Sequence, residues 1–160
     1  MSDQRTGEAS AKPPVPAVVL GAAGLIPFLL LTGMLFVDGD FAHRTARPAL
    51  LGYSIAILSF MGAVHWGLAM GDQSPDGGQV WRRYIVSVLP ALAASATVFI
   101  QAELQFVWLG FCFFALLVYD LFAVSCSEAP RWYSRLRWPL TLIVCVCLGA
   151  VALQESQNMK

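Results

Sequence analysis

Charge is what this sequence has least of. Only 12% of its 160 residues are charged, against roughly 25% in an ordinary soluble domain, while 58% are hydrophobic. That balance excludes a soluble globule, because it leaves too little polar surface to cover one. Ten basic and ten acidic residues cancel formally, so no basic surplus marks a nucleic-acid footprint or a polybasic membrane patch. Long polar loops are missing as well. The gaps between apolar runs hold about three to thirteen residues, which excludes a separate extramembrane domain and forces sequential helices to be antiparallel neighbours. Cysteine chemistry is absent too. Cys112, Cys126, Cys145 and Cys147 form neither a CxxC turn nor a zinc spacing and read as small apolar fillers. No residue set points to a bound metal, a catalytic nucleophile or a nameable cofactor.

Long apolar runs take the place of these features. Residues 17–37, 49–70, 84–100 and 138–153 carry no Asp, Glu, Lys or Arg, and 104–126 carries only Asp120. A spanning helix needs about 20 apolar residues, with about 17 to 25 tolerated. The expected architecture is therefore all-α: one polytopic membrane domain over 17–153, folded as a compact bundle of five transmembrane helices. Residues 1–16, polar and with three prolines, read as a disordered tail, and 154–160 as a short C-terminal one.

Basic residues set the expected orientation. Arg5, Lys12, Arg82, Arg83, Arg131, Arg135 and Arg137 fall on one side of such a bundle, and Arg44, Arg47 and Lys160 on the other. The positive-inside rule then places the N-terminus in the cytoplasm and the C-terminus in the periplasm of a bacterial inner membrane, or the equivalent sides of a mitochondrial one. Trp81, Tyr84, Trp132, Tyr133 and Trp138 sit at the inner boundary of their spans, as interfacial aromatics do. The segment 131–138 reads as lying along that surface before the chain turns inward at Pro139. Its Arg131, Arg135 and Arg137, with Arg82 and Arg83, are candidates for headgroup or partner contact, and topology anchoring is the plainer reading.

Two ionisable residues fall inside spans, His65 and Asp120. Each lies six residues from the inner end of its run, about 9 Å deep at 1.5 Å per residue, and the two helices run in the same direction. They are candidates to meet, since a charge at depth is costly and usually faces a partner inside the bundle. Tyr119 is expected to point elsewhere. Small or helix-breaking residues gather in the same layer: Gly21, Gly24 and Pro27 in the first run, Gly62 and Gly67 around His65-Trp66 in the second, Ser87 and Pro90 in the third. Together they outline a candidate polar pocket of His65, Trp66, Asp120, Ser87, Gly24, Pro27 and Pro90 in the inner leaflet. A fold-specifying pair without chemistry is the competing reading. The opposite half of the bundle reads as apolar scaffold.

These stretches are similar to a known family. Leu20-Gly21-Ala22-Ala23-Gly24-Leu25-Ile26-Pro27-Phe28, Ser59-Phe60-Met61-Gly62-Ala63-Val64-His65-Trp66-Gly67-Leu68-Ala69, Ser87-Val88-Leu89-Pro90, and Tyr119-Asp120 with Arg131-Trp132-Tyr133-Ser134-Arg135-Leu136-Arg137 resemble a family of small bacterial and mitochondrial inner-membrane proteins of unknown function that includes transmembrane protein 69. The resemblance implies a five-helix membrane protein and brings no catalytic residue to transfer.

Two functions compete on this basis. One is a structural, assembly or accessory subunit bound to a larger inner-membrane complex, with the bilayer and that complex as partners. The other is a binder or enzyme acting on a lipid-like or quinone-like molecule around His65 and Asp120.

Overall fold

In the computed structural model, the described residues are 13–37, 39–71, 77–125 and 131–158. Residues 1–12 of the expected tail, Cys126, and the side chain of Arg131 lie outside them. The described residues form five α-helices: α1 (Val15–Leu35), α2 (Asp40–Gly71), α3 (Gly77–Ala96), α4 (Gln105–Ser125) and α5 (Arg131–Asn158), with single 3-10 turns at Thr97–Phe99 and Ala102–Leu104 between α3 and α4. Four of them, α1, α2, α4 and α5, are long and apolar enough to cross a membrane. α3 is more polar because Arg82 and Arg83 lie in its first two turns, and the helical part of 84–100 stops at Ala96.

Both α2 and α5 outgrow the runs that mark them. α2 has 32 residues and α5 has 28, roughly 48 and 42 Å at 1.5 Å per residue, against about 30 Å of hydrocarbon. α5 also departs from expectation. Pro139 lies inside one continuous helix, so 131–138 is not a separate surface segment but the first two turns of α5. Pro27, Pro48 and Pro90 are likewise internal to their helices. Each proline leaves one upstream carbonyl without its usual donor, a defect that membrane bundles tolerate where neighbouring side chains and helices take over.

Packing follows the buried faces. α2 packs on α1, α3 and α4, while α5 packs on α4 and α1. The buried residues of α4 include Phe106, Leu109, Phe113, Leu116, Asp120 and Ala123, alternately three and four apart, the spacing of a coiled-coil seam. Asp120 is thus one rung of an otherwise apolar stripe. α1 is held lightly: of its 21 residues only Phe28 and Leu35 are buried. The Phe28 ring stands edge-on to Tyr53 at 5.1 Å and to Phe113 at 6.1 Å between centroids.

The end of the bundle expected to be plain scaffold carries a polar clamp. Arg47 on α2 donates from Nε to Glu155 Oε1 of α5 at 2.7 Å and from Nη2 to the Ala102 carbonyl at 2.7 Å. Gln154 donates to the Leu35 carbonyl at 2.8 Å, and Gln105 Nε2 to the Thr97 carbonyl at 3.3 Å. The clamp joins the start of α2 and α4 to the end of α1, α3 and α5, so successive helices alternate in direction and α2 runs parallel to α4.

Candidate functional site

At the other end of the bundle α2 and α4 bring His65 and Asp120 together. His65 Nε2 lies 2.6 Å from Asp120 Oδ1, and the side chains are 4% and 0% exposed. Equal depth on parallel helices places them at one level. Seams that face each other put them in contact.

A third member joins them. Arg137 donates from Nε to Asp120 Oδ2 at 2.5 Å, its Nη1 approaches the Met61 sulphur, and its guanidinium lies over the Tyr133 ring at 5.9 Å. The expectation of Arg137 at headgroup level is therefore corrected. Its side chain is 4% exposed and turned inward, because the continuous α5 puts Tyr133, Arg137 and Thr141, four residues apart, on the face that continues through Val144, Leu148 and Val151. The signal for this was in the sequence, as that unbroken spacing across Pro139.

The triad ties three helices through one carboxylate. Guanidinium stays charged in proteins, so a buried Arg137 requires the counter-charge that Asp120 supplies. Asp120 has an acceptor oxygen for each neighbour, and both are engaged. Tyr119 corrects an expectation too: its ring meets His65 edge-on at 5.1 Å. Arg83 of α3 is also buried and shares with His65, Leu68 and Ala123 a gap of about 10 Å³. At about one probe sphere, that gap holds at most a single water.

The other residues singled out by sequence do not converge on this triad. Ser87 and Pro90 form the contact between α3 and α2: a Cβ added to Gly62 would stand 2.6 Å from the Ser87 carbonyl oxygen and 3.0 Å from the Pro90 ring. The Ser87 hydroxyl donates to the Tyr84 carbonyl at 2.6 Å. Trp66 faces outward, 45% exposed, against Tyr84 at 5.0 Å. Arg135 is exposed and Arg82 stacks over Phe122 at 5.8 Å.

Gly24 belongs to a different place. A cavity of about 320 Å³ lies between α1, α2 and α5, with Gly21, Gly24, Phe28, Met61, Leu140 and Arg137 in its walls. The Gly24 carbonyl, one turn before Pro27, accepts a hydrogen bond from the Tyr53 hydroxyl at 2.9 Å. His65 and Asp120 stand behind Arg137 and do not line the cavity. Sequence reasoning missed Tyr133 and Thr141, which do. Among the described residues, no group of three or more His, Cys, Asp or Glu side chains could hold a metal ion.

Apolar spanning helices in alternating directions around a buried ion triad define a multi-pass α-helical membrane protein. The chain belongs to the family described as protein of unknown function (DUF3429), whose model matches residues 13–153. It is similar to transmembrane protein 69 of Xenopus tropicalis, with 34% identity over 149 residues, which cover 89% of this chain and 56% of that protein. The chain therefore spans little more than half the length of this relative. No solved structure matches it.

Proposed function

We propose that this chain is a non-catalytic structural or accessory subunit of a larger complex in an inner membrane, with its N-terminus on the cytoplasmic or matrix side. The observation that supports this reading is the closed triad. Both oxygens of Asp120 are taken by Arg137 and His65, so the strongest polar groups in the bundle interior bind one another. A network of this kind fixes how three helices pack. The excess of basic residues at the inner end supports the orientation. Mild-detergent solubilisation followed by native electrophoresis tests the role: the chain is expected to migrate with a larger assembly, and migration only as a free species would overturn it. A reporter fused after Lys160 that worked in the cytoplasm would overturn the orientation.

The cavity between α1, α2 and α5 favours a second reading, a binding protein for a lipid-like or quinone-like molecule. Its ligand would contact Arg137 on the cavity wall, with His65 and Asp120 acting from behind. Here His65→Ala protein, which keeps the Arg137–Asp120 pair, is expected to accumulate and lose binding. Unaltered binding by that variant would refute the triad's part in it.

A further inference from the structure

The cavity between α1, α2 and α5 is elongated. Its lining runs from Ala17 to Phe28 on α1 and from Tyr133 to Val144 on α5, about 17 Å on each helix at 1.5 Å per residue. α1 and α5 start from the same end of the bundle, so the long axis of the cavity follows the helix axes. Ala17 lies in the first turn of α1, which puts one end of the cavity at the membrane boundary. The other end lies near the midplane, because the hydrocarbon layer is about 30 Å thick. The cavity thus has the depth and direction of a single lipid leaflet.

Its lining is almost wholly hydrocarbon. Half-buried Leu25, Ile57 and Leu140 contribute to the walls, and Leu20 and Phe60, 72% and 63% exposed, stand at the edge that faces lipid. The polar groups of the lining residues turn away from it. Arg137 gives Nε to Asp120 Oδ2, while Arg137 Nη2, Tyr133 Oη and Thr141 Oγ1 are buried and open no surface to the cavity. The Gly24 carbonyl is taken by the Tyr53 hydroxyl. Water needs about two to four polar partners, so an apolar cavity of this kind stays dry and admits apolar molecules. Left empty, it would forfeit contacts on every side. The material at hand to fill it is the bilayer. About 320 Å³ spread over that length is a narrow slot, suited to one extended chain.

We infer that this cavity holds a single hydrocarbon chain of a lipid from the leaflet at the triad end of the bundle, with the lipid head left at the membrane boundary. The inference rests on the second reading above in placing a ligand here, and it identifies the part held as the tail rather than the head. Selection then falls on the chain and little on head chemistry.

The test uses the full chain in vesicles of phosphatidylethanolamine and phosphatidylglycerol. These carry a trace of phosphatidylglycerol with a photoactivatable diazirine halfway along one chain or, in a second preparation, on the head. After irradiation the labelled residues are mapped by mass spectrometry. The chain probe is expected to label Leu25, Ile57 and Leu140 more heavily than Leu29 and Leu142, which are 53% and 54% exposed on α1 and α5 and lie outside the cavity. Gly24→Leu, which fills the slot, should abolish the wall labelling and leave Leu29 and Leu142 labelled as before. Gly24→Ala adds a Cβ 3.9 Å from the Tyr53 hydroxyl, an ordinary contact. It is expected to keep the fold and to lower the wall labelling in part, so the inference can be refuted even where the leucine variant does not fold. Wall labelling no heavier than that of Leu29 and Leu142, or labelling unchanged in the variants, overturns the chain slot. Labelling of the walls by the head probe alone overturns it while leaving the second reading in place, and labelling by neither probe overturns both.

Discussion

Asp120 is fully buried, and two cationic or potentially cationic groups lean on it, so its removal strands a guanidinium in the bundle interior. Breaking such a pair from one side typically costs about 3 to 5 kcal/mol, whereas replacing the whole set with apolar groups is often neutral or stabilising. Asp120→Asn is therefore expected to lower the thermal unfolding midpoint in detergent sharply. Adding Arg137→Met to that variant should recover much of the loss. If the double variant is as weak as the sum of its parts, the triad is not the coupled unit described here. The pairing of His65 with Asp120 was legible in the sequence, because equal depth in two parallel helices is a matter of counting. The signal for Arg137, the unbroken spacing across Pro139, is masked because a residue two positions before a proline reads as lying outside a helix that the proline would begin.

At the scale of the element, α2 and α3 approach until backbone nearly meets backbone at Gly62. The atom a new Cβ would strike there is the Ser87 carbonyl oxygen at 2.6 Å, which cannot rotate away. Gly62→Ala is expected to cost about 1 to 3 kcal/mol, the range for overpacking. Gly21→Ala meets only the mobile end of Leu140 at 2.9 Å, and Gly67→Ala meets nothing within 4 Å. The three variants should rank in that order by unfolding midpoint, Gly62→Ala lowest, with Gly67→Ala at or above the parent because alanine favours helix over glycine. A flat series would show that α2 and α3 are not in close contact. Helix existence was legible from apolar length alone. Helix ends were not: Pro16 sits in the first turn of α1, where its missing N–H matters least, and Pro139 is absorbed within α5. Rules that hold best in water read both as breaks.

Across the whole molecule, polar latches stand at both ends, and they differ in kind. The Arg47–Glu155 pair is 28% and 23% exposed, so it is screened and worth about 0 to 1 kcal/mol. Arg47→Ala should shift the midpoint less than Asp120→Asn, and by an amount that shrinks in high salt. An effect as large as that of Asp120→Asn would place the main lock at the wrong end. This second latch was illegible because Arg47 reads as a loop charge, and only the extension of α2 back to Asp40 brings it beneath Glu155. α1 is the least anchored helix, with 11% of its apolar stretch buried against 28 to 33% in the other spanning helices. Its amides should exchange with solvent in detergent before those of α4. Slower exchange in α1 than in α4 would contradict this packing.

That shallow anchorage has a consequence for how the chain is made. α1 is synthesised before every helix it touches, yet its ties reach Tyr53, Phe113 and Gln154, the last 119 residues downstream of Leu35. Among the described helices α1 can pair with α2 as soon as that helix follows it, but its contacts are complete only when α5 arrives. The cavity between α1, α2 and α5 is thus walled only once the last of these three helices is in place.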